Sequence, residues 1–358
     1  MDITKIDKNF ANTFSFEGMK TYDVNQPPFS LHGLCRQEGE LDYKRLPHEF
    51  AKDFGNPSVE VMYRRTAGIR VRFKTDSSRI ILKCTQPEQV NIPHISITGS
   101  SCFDLYADGQ YCNVFRPGID VNGKYSENKD MTGGYQSGFV FKGERKMREI
   151  LIHFPSYNGV DDVFLALEED AQVLPPREYT YKDPVLFYGS SITQGACASH
   201  PGNGHVAILS RLFDFDFINL GFSGGCLGEK KFATYIGGLK LGALVMDYDH
   251  NASLQGLIDT HEAFFLEFRR LQPDTPVIFI TTSDLAFTYE GRIKRKEVIR
   301  KTYENALAAG DKNVYFVDGS VAYDEVGIDY CVVDNGHPND LGFWCIAQNA
   351  AKVFAKVF

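Results

Sequence analysis

The sequence has no excess of positive charge and no apolar run long enough to span a membrane. Its 358 residues carry 38 Lys and Arg against 46 Asp and Glu, a formal net charge of −8. This balance argues against nucleic acid or an anionic membrane as the main partner. The first residues, Met1–Lys8, also lack the apolar core of a signal peptide. We therefore expect a cytoplasmic protein, or a periplasmic or secreted one if a leader preceding this sequence was trimmed.

Cysteine is present eight times, but never with the Cys-x-x-Cys spacing. Without that spacing a zinc site is not expected, and we predict no metal ligands and no cofactor. We expect the thiols to be reduced and partly buried. Cys102 and Cys112 are nevertheless close enough along the chain to pair across a hairpin, and composition leaves that pairing open.

The first half of the chain predicts an all-β domain. Short runs with a period of two extend from about Val59 to Glu169, separated by turns rich in Gly, Asp and Asn. The predicted strands are Ile69–Phe73, Arg79–Lys83, His94–Ile97, Phe103–Tyr106, Gly138–Phe141, Arg148–His153 and Val163–Leu167. Many short strands with such turns are typical of a β-sandwich or jelly roll. Residues 1–175 are therefore predicted to form a jelly-roll-like accessory domain.

One predicted strand of this domain has a strongly basic face. Arg70 and Arg72 alternate with apolar residues, and Arg64 and Arg65 precede them. Alternation with a period of two places the arginines together on one face of the strand. We expect this face to lie in solvent; a site for uronate-bearing sugars is the alternative.

The second half predicts an α/β domain after a hinge at residues 175–177. Helical spacing covers residues 254–268 and 298–306, and a last helix begins near its expected N-cap, Asn339. The predicted strands are Val185–Tyr188, Phe217–Leu220, Ala243–Met246, Val277–Ile280 and Val314–Val317. Strands alternating with helices indicate a parallel sheet covered on both faces. Residues 176–358 are therefore predicted to form a three-layer α/β/α domain.

Four polar stretches of the second domain follow predicted strands or precede helices. They are Gly189–Ser191, Asn219–Gly225, Asp247–Asn251 and Asp334–Asp340. Each alone has a purely structural interpretation as a glycine turn, a helix cap or a loop histidine. Together they supply a serine nucleophile, a backbone donor, a side-chain amide donor, and an acid three residues before a histidine. Acyl transfer through a serine requires these groups.

In these four stretches the second domain resembles the SGNH (GDSL-like) hydrolase family of esterases and lipases. The resemblance implies that Ser191 is the nucleophile and His337 the general base, oriented by Asp334. It also implies an oxyanion hole formed by the backbone N–H groups of Ser191 and Gly224 and the side-chain amide of Asn251.

The chain departs from the family pattern at two places. Ser190 stands where the family usually has aspartate, and residues 249–252 read Asp-His-Asn-Ala where Gly-x-Asn-Asp is common. Neither departure removes a catalytic group. Two further histidines are candidates for contact with substrate: His205 opens a helix beside the nucleophile turn, and His250 adjoins Asn251. A structural or solvent-exposed role is the alternative for both.

A β-sandwich ahead of an SGNH domain is similar to the arrangement in two-domain bacterial carbohydrate esterases. This similarity implies a serine esterase that removes small acyl groups, acetyl above all, from a carbohydrate without a metal or cofactor. The alternatives are a lysophospholipase or thioesterase of the same family, and a glycan-binding protein whose hydrolase domain is inactive. The expected partner is an acylated carbohydrate or another small ester, with no nucleic acid and no membrane, and the oligomeric state stays open.

Overall fold

The computed structural model describes residues 16–35, 42–116, 133–283 and 287–358, so the Met1–Lys8 stretch lies outside the described residues. Within them, the strands are β1 Met19–Asp23, β2 Ser30–His32, β3 Arg70–Thr75, β4 Arg79–Thr85, β5 Phe103–Ala107, β6 Gln110–Phe115, β7 Tyr135–Val140, β8 Arg148–His153, β9 Asp162–Glu168, β10 Val173–Leu174, β11 Tyr181–Gly189, β12 Phe215–Gly221, β13 Ala243–Asp247, β14 Val277–Ile280 and β15 Val314–Val317. The α-helices are α1 His48–Ala51, α2 Pro57–Met62, α3 Ile97–Ser100, α4 Ser191–Gln194, α5 His205–Phe213, α6 Lys230–Gly237, α7 Leu254–Leu271, α8 Tyr289–Ala308 and α9 Asp340–Phe354.

The strands before residue 175 form two antiparallel sheets. One has the order β1-β9-β4-β7, and the other has the order β10-β3-β8-β5-β6, with β2 paired to β3. Alternate side chains of both sheets, among them Val71, Phe73, Leu82 and Leu165, share one buried apolar core. Two sheets packed over a common core form a sandwich. The predicted all-β sandwich is confirmed.

The strands from β11 onward form one parallel sheet with the order β12-β11-β13-β14-β15. In β11, Val185 and Phe187 face a core shared with α5 and α9, whereas Leu186 and Tyr188 face a core shared with α6, α7 and α8. Both faces of the sheet are therefore covered, as near-continuous apolar strands require. The predicted three-layer α/β/α arrangement is confirmed.

A segment of the first domain packs on the second sheet. Leu46, Ala51, Val59 and Tyr63 belong to the same apolar core as α6 and α7. This segment contains α1 and α2, although both precede the sandwich strand β3 in the chain. The sheets are divided near residue 175. The helices α1 and α2, however, precede this point in the chain and yet pack against the second sheet, so the exact boundary between the domains stays a prediction.

The basic face of β3 is buried, so the prediction that it lies in solvent is wrong. Arg70 has no exposed surface and Arg72 is 6% exposed. Arg70 pairs with Asp216 of β12 and donates to the carbonyl oxygen of Phe217 at 3.1 Å. A period of two assigns residues to a face but does not reveal what covers that face, and here the second domain covers it.

A second tie between the domains is made by a buried carboxylate. Asp104 of β5 has no exposed surface. Its Oδ1 lies 2.7 Å from His153 Nδ1, and its Oδ2 lies 2.7 Å from His200 Nδ1 and accepts from the Gly202 N–H at 2.5 Å. The loop after α4 is thereby fixed to the sandwich. This carboxylate was predicted only as part of a strand.

One other expectation also fails, whereas the expectation of reduced thiols is confirmed. His94–Ile97 is not a strand, because Ser96 accepts from the Gly99 N–H at 3.2 Å and caps the short helix α3 instead. Cys102 and Cys112 do not pair; all eight cysteines are free thiols. Cys102 precedes Phe103, whose partner is Phe115, so Cys112 lies further along the hairpin. Among the described residues, no helix is long and apolar enough to cross a membrane.

Candidate active site

The serine turn lies at the point where the parallel sheet changes the direction of its winding. β11 is flanked by β12 on one side and β13 on the other. Gly189, the last residue of β11, pairs with Gly221 of β12 and Asp247 of β13. The loops that follow the three strands therefore leave the sheet at one edge. Open α/β sheets place their ligand crevices at this position.

The turn gives its two serines different roles. Ser190 is buried and is the N-cap of α4, with its Oγ accepting from the Ile192 N–H at 3.2 Å. It supplies the capping oxygen that an aspartate would otherwise supply. Ser191 is partly exposed, and its Oγ lies 3.0 Å from Nε2 of His337. Of the two hydroxyls, that of Ser191 faces a base.

His337 and Asp334 lie in the loop that enters α9. Nδ1 of His337 is 2.9 Å from Oδ2 of Asp334. Oδ1 of the same carboxylate accepts from the N–H groups of Gly336 at 2.8 Å and His337 at 2.7 Å. Partial burial acts to raise the pKa of Asp334, but the hydrogen bonds from the His337 ring and from the two backbone groups outweigh it and lower the pKa to about 2. The carboxylate is therefore an anion throughout the neutral range.

The two remaining predicted oxyanion donors lie side by side. The Gly224 N–H donates to Oδ1 of Asn251 at 3.2 Å, and Nδ2 of Asn251 donates to the carbonyl oxygen of Phe222 at 3.0 Å. An amide nitrogen carries two hydrogens, so Asn251 keeps a second one for another acceptor. The Gly224 N–H would have to exchange its bond to Asn251 for one to an oxyanion. Gly224 has a φ of +69°, in the left-handed region that glycine adopts without steric cost.

Two family models match the chain, one for each part. Residues 182–355 match the GDSL-like lipase/acylhydrolase family, and residues 19–173 match the N-terminus of SGNH hydrolase-type esterases. The α/β part of the chain therefore resembles the GDSL-like lipase/acylhydrolase family. The protein is an ester hydrolase.

Solved structures share the whole two-domain arrangement. A protein from Bacteroides ovatus described as a GDSL-like lipase is 26% identical, with a TM-score of 0.81 over 95% of this chain and 98% of its own. A salicylyl-acyltransferase from a tetracycline biosynthetic pathway is 19% identical, with a TM-score of 0.75 over 95% and 98%. A family two carbohydrate esterase from Clostridium thermocellum is 14% identical, with a TM-score of 0.60 over 93% and 99%. A search of curated proteins finds no significant match.

The first domain holds the end of β12 in place through Arg45. The Arg45 side chain has no exposed surface, and burial lowers its pKa to about 9. Its guanidinium donates to the carbonyl oxygens of Asn219 at 3.2 Å and Gly221 at 2.5 Å, and to those of Met62 and Arg65. It also lies over the Phe222 ring, 4.3 Å from the centroid. Arg45 therefore positions the chain that leads into the oxyanion loop.

The start of α2 holds the oxyanion loop itself. Asn56 Nδ2 donates to the carbonyl oxygen of Gly225 at 2.7 Å, and the Ser58 hydroxyl donates to the carbonyl oxygen of Ser223. Sequence reasoning missed these residues. Asn56 followed by proline is a helix-start signal, but such a signal does not reveal what the cap contacts.

His94 of the first domain reaches the triad. Its ring stacks on the ring of His337, with centroids 5.1 Å apart and an interplanar angle of 29°. His94 is exposed and lies on the loop before α3. Sequence reasoning placed it in a strand and gave it no role at the site, because no local pattern links it to a histidine 243 positions later.

Each of the two histidines that are candidates for contact with substrate has a partner within the protein. His205 has no exposed surface; its Nε2 is 3.4 Å from the Asp247 carboxylate, and its ring stacks on Phe343. Its complete burial gives a substrate no surface to contact, so the geometry favours the structural alternative. His250 has Nε2 2.7 Å from the Thr282 hydroxyl. This hydrogen bond fixes the loop that carries Asn251.

Proposed function

We propose that this chain is a serine esterase in which Ser191, His337 and Asp334 act together to remove small acyl groups, acetyl foremost, from a carbohydrate. The observation that carries the proposal is the continuous hydrogen-bonded arrangement from the Ser191 hydroxyl through the His337 ring to the Asp334 carboxylate, at 3.0 and 2.9 Å. Distances of this kind meet the requirement for a nucleophile, a base and a group that orients the base.

In the proposed reaction, Ser191 Oγ attacks the ester carbonyl while His337 Nε2 takes the hydroxyl proton. The carbonyl oxygen becomes an oxyanion, which the N–H groups of Ser191 and Gly224 and the amide of Asn251 would stabilise. Collapse of this intermediate breaks the bond to the alcohol, and His337 returns the proton to the departing oxygen. Water, activated by His337, then attacks the acyl-enzyme and releases the acid and free Ser191.

The role of Asp334 follows from its two oxygens. Oδ2 holds Nδ1–H of His337 and so leaves Nε2 free to accept the serine proton. Oδ1 is held by two backbone N–H groups, which fixes the carboxylate in the loop. An ionised carboxylate next to the ring also stabilises the imidazolium that forms during the attack.

A small acyl group and a carbohydrate are supported by the surroundings of the triad. The oxyanion loop carries Ser223 and two glycines, and the imidazole of His94 covers one face of the His337 ring. A long acyl chain gains affinity only from apolar surface that it can bury. Structural neighbours include carbohydrate esterases, one with cellohexaose and one from Butyrivibrio proteoclasticus described as an acetyl xylan esterase, which supports a sugar ester as substrate.

A panel of esters tests this proposal. We expect kcat/KM for nitrophenyl acetate to exceed that for nitrophenyl octanoate by at least about tenfold. Acetylated xylan and acetylated cello-oligosaccharides should release acetate, and Ser191→Ala should release none. A preference for octanoate would instead favour the lysophospholipase or thioesterase alternative. Binding of glycans without turnover of any ester would favour an inactive hydrolase domain.

A further inference from the structure

Three side chains that can ligate a transition metal meet beside the nucleophile. They are His94 from the first domain, Cys197 from the loop after α4, and His337. One donor atom of each lies within 4.8 Å of the others. The sequence predicts no zinc site because it lacks Cys-x-x-Cys spacing, whereas these three residues are distant in the chain and are brought together by the packing of the two domains.

Packing between the two domains sets the positions of the Cys197 side chain and of the His94 backbone. Cys197 is 8% exposed and belongs to a small apolar cluster with Ile95, Tyr157 and Ala196. Ile95 follows His94 directly, so the contact that buries Ile95 also brings His94 to the thiol. Cys197 has a φ of +70°, a left-handed backbone conformation that residues other than glycine rarely adopt. This backbone conformation sets the orientation of Cys197 within the turn.

The donor set suits Zn²⁺ and similar ions. Imidazole nitrogen and thiolate sulfur bind zinc at about 2.0–2.1 and 2.3 Å, with four ligands in a tetrahedron. Donors around such an ion lie roughly 3.3–3.8 Å apart, so donor pairs that are now up to 4.8 Å apart must close by about 1–1.5 Å. His94 is exposed and can make that movement. Two nitrogens and one sulfur disfavour Mg²⁺ and Ca²⁺, which prefer oxygen ligands.

We propose that His94, Cys197 and His337 form a binding site for Zn²⁺ and that the bound ion reversibly inhibits ester hydrolysis. Nδ1 of His337 is held by Asp334, so the nitrogen available to the metal is Nε2, the one that faces Ser191. A metal on Nε2 removes the base from the serine. Asp334 then supports a metal-bound histidine, as carboxylates do behind many zinc ligands. The inhibitory part of this inference rests on the proposed function, whereas the binding part does not.

One feature opposes tight binding. Burial raises the pKa of the Cys197 thiol to about 12, with the charge of Asp334 acting in the same direction. The metal must therefore displace a proton, and we expect weaker binding than at a structural zinc site.

Cobalt spectroscopy tests the site without any turnover. Chelator-treated protein titrated with Co²⁺ should develop a thiolate-to-cobalt charge-transfer band in the near ultraviolet, and Zn²⁺ should abolish it by displacement. Ser191→Ala protein should show the same band. The band should vanish in Cys197→Ser and persist in the matched control Cys112→Ser, which removes a half-exposed thiol on β6. A band that survives in Cys197→Ser, or no band in the parent protein, overturns the site.

Measurements of ester hydrolysis in the presence of Zn²⁺ test whether the bound ion inhibits the enzyme. Each variant is compared with its own activity without metal. The Zn²⁺ concentration that halves activity should rise at least about tenfold in Cys197→Ser and in His94→Gln, and not in Cys112→Ser. Excess chelator should restore activity. Equal sensitivity of all variants overturns inhibition through this site. If no variant or parent hydrolyses any ester, the proposed function fails while the cobalt result still decides the metal site.

Discussion

Replacing Asp104 with asparagine should destabilise the protein by about 3 kcal/mol, because it removes a buried charge that two histidines and a backbone N–H share. The asparagine oxygen can still accept on one side. On the other side, the amide N–H₂ group replaces a carboxylate oxygen and, being a donor itself, faces the donors that this oxygen binds in the parent protein. Depending on the orientation of the amide, these donors are His200 and Gly202, or His153. A net loss of one or two charge-assisted hydrogen bonds, at about 1.5–3 kcal/mol each, gives this figure.

Urea unfolding at neutral pH measures the effect. The matched control is Asp108→Asn, an exposed aspartate on the same hairpin whose Oδ1 accepts from the Glu149 N–H at 2.9 Å, a bond that asparagine can keep. Asp108→Asn should leave the midpoint within experimental error. If Asp104→Asn unfolds at the same urea concentration as this control, the carboxylate does not tie the domains and the reasoning fails.

The same substitution has a pH signature. Burial acts to raise the pKa of Asp104, but His153 and His200 outweigh it and hold the pKa well below its usual range. A carboxylate whose pKa is depressed by folding stabilises the fold above its unfolded pKa, near 3.9, and loses that contribution as the pH falls below it. The gap in stability between parent and Asp104→Asn should therefore shrink in acid. A gap that widens below pH 4 would contradict the assignment.

Two further predictions concern the site. Arg45→Met should lower both the unfolding midpoint and kcat, because four carbonyl oxygens lose a donor and two of them, those of Asn219 and Gly221, lead into the oxyanion loop. Urea unfolding and ester hydrolysis, measured on the same sample, test this. An unchanged kcat would show that Arg45 does not position the loop. The kcat/KM should rise with pH, because His337 must be neutral to accept the serine proton. No second step should follow between pH 3 and 5, since Asp334, with a pKa of about 2, stays ionised there; a profile with two acid steps would contradict this.

The sequence predicts the layers of both domains and most of the strands, because periodic burial is a local property. It also predicts the proximity of Asp334 and His337, since a three-residue loop brings the carboxylate back to the imidazole. Asn339 caps α9 as expected, accepting from the Gly342 N–H at 3.0 Å. These contacts all lie within a few residues of one another.

What the sequence does not predict is set by contacts between distant segments. Arg45 bonds to Gly221, 176 positions away, and nothing around Arg45 indicates that the arginine is buried. Arg70 lies on the basic face of its strand as predicted, yet the second domain covers that face and Asp216 neutralises it. The residues that position the oxyanion loop therefore become visible only when the two domains are seen packed together.

Covalent capture of the nucleophile tests the central claim most directly. A fluorophosphonate reacts with a serine that an adjacent base activates, and mass spectrometry of peptides then locates the adduct. We expect a single adduct on Ser191, its loss in Ser191→Ala, and its retention in Ser190→Ala, which removes only a helix cap. An adduct on another residue, or labelling that persists in Ser191→Ala, would contradict the assignment of Ser191 as the nucleophile.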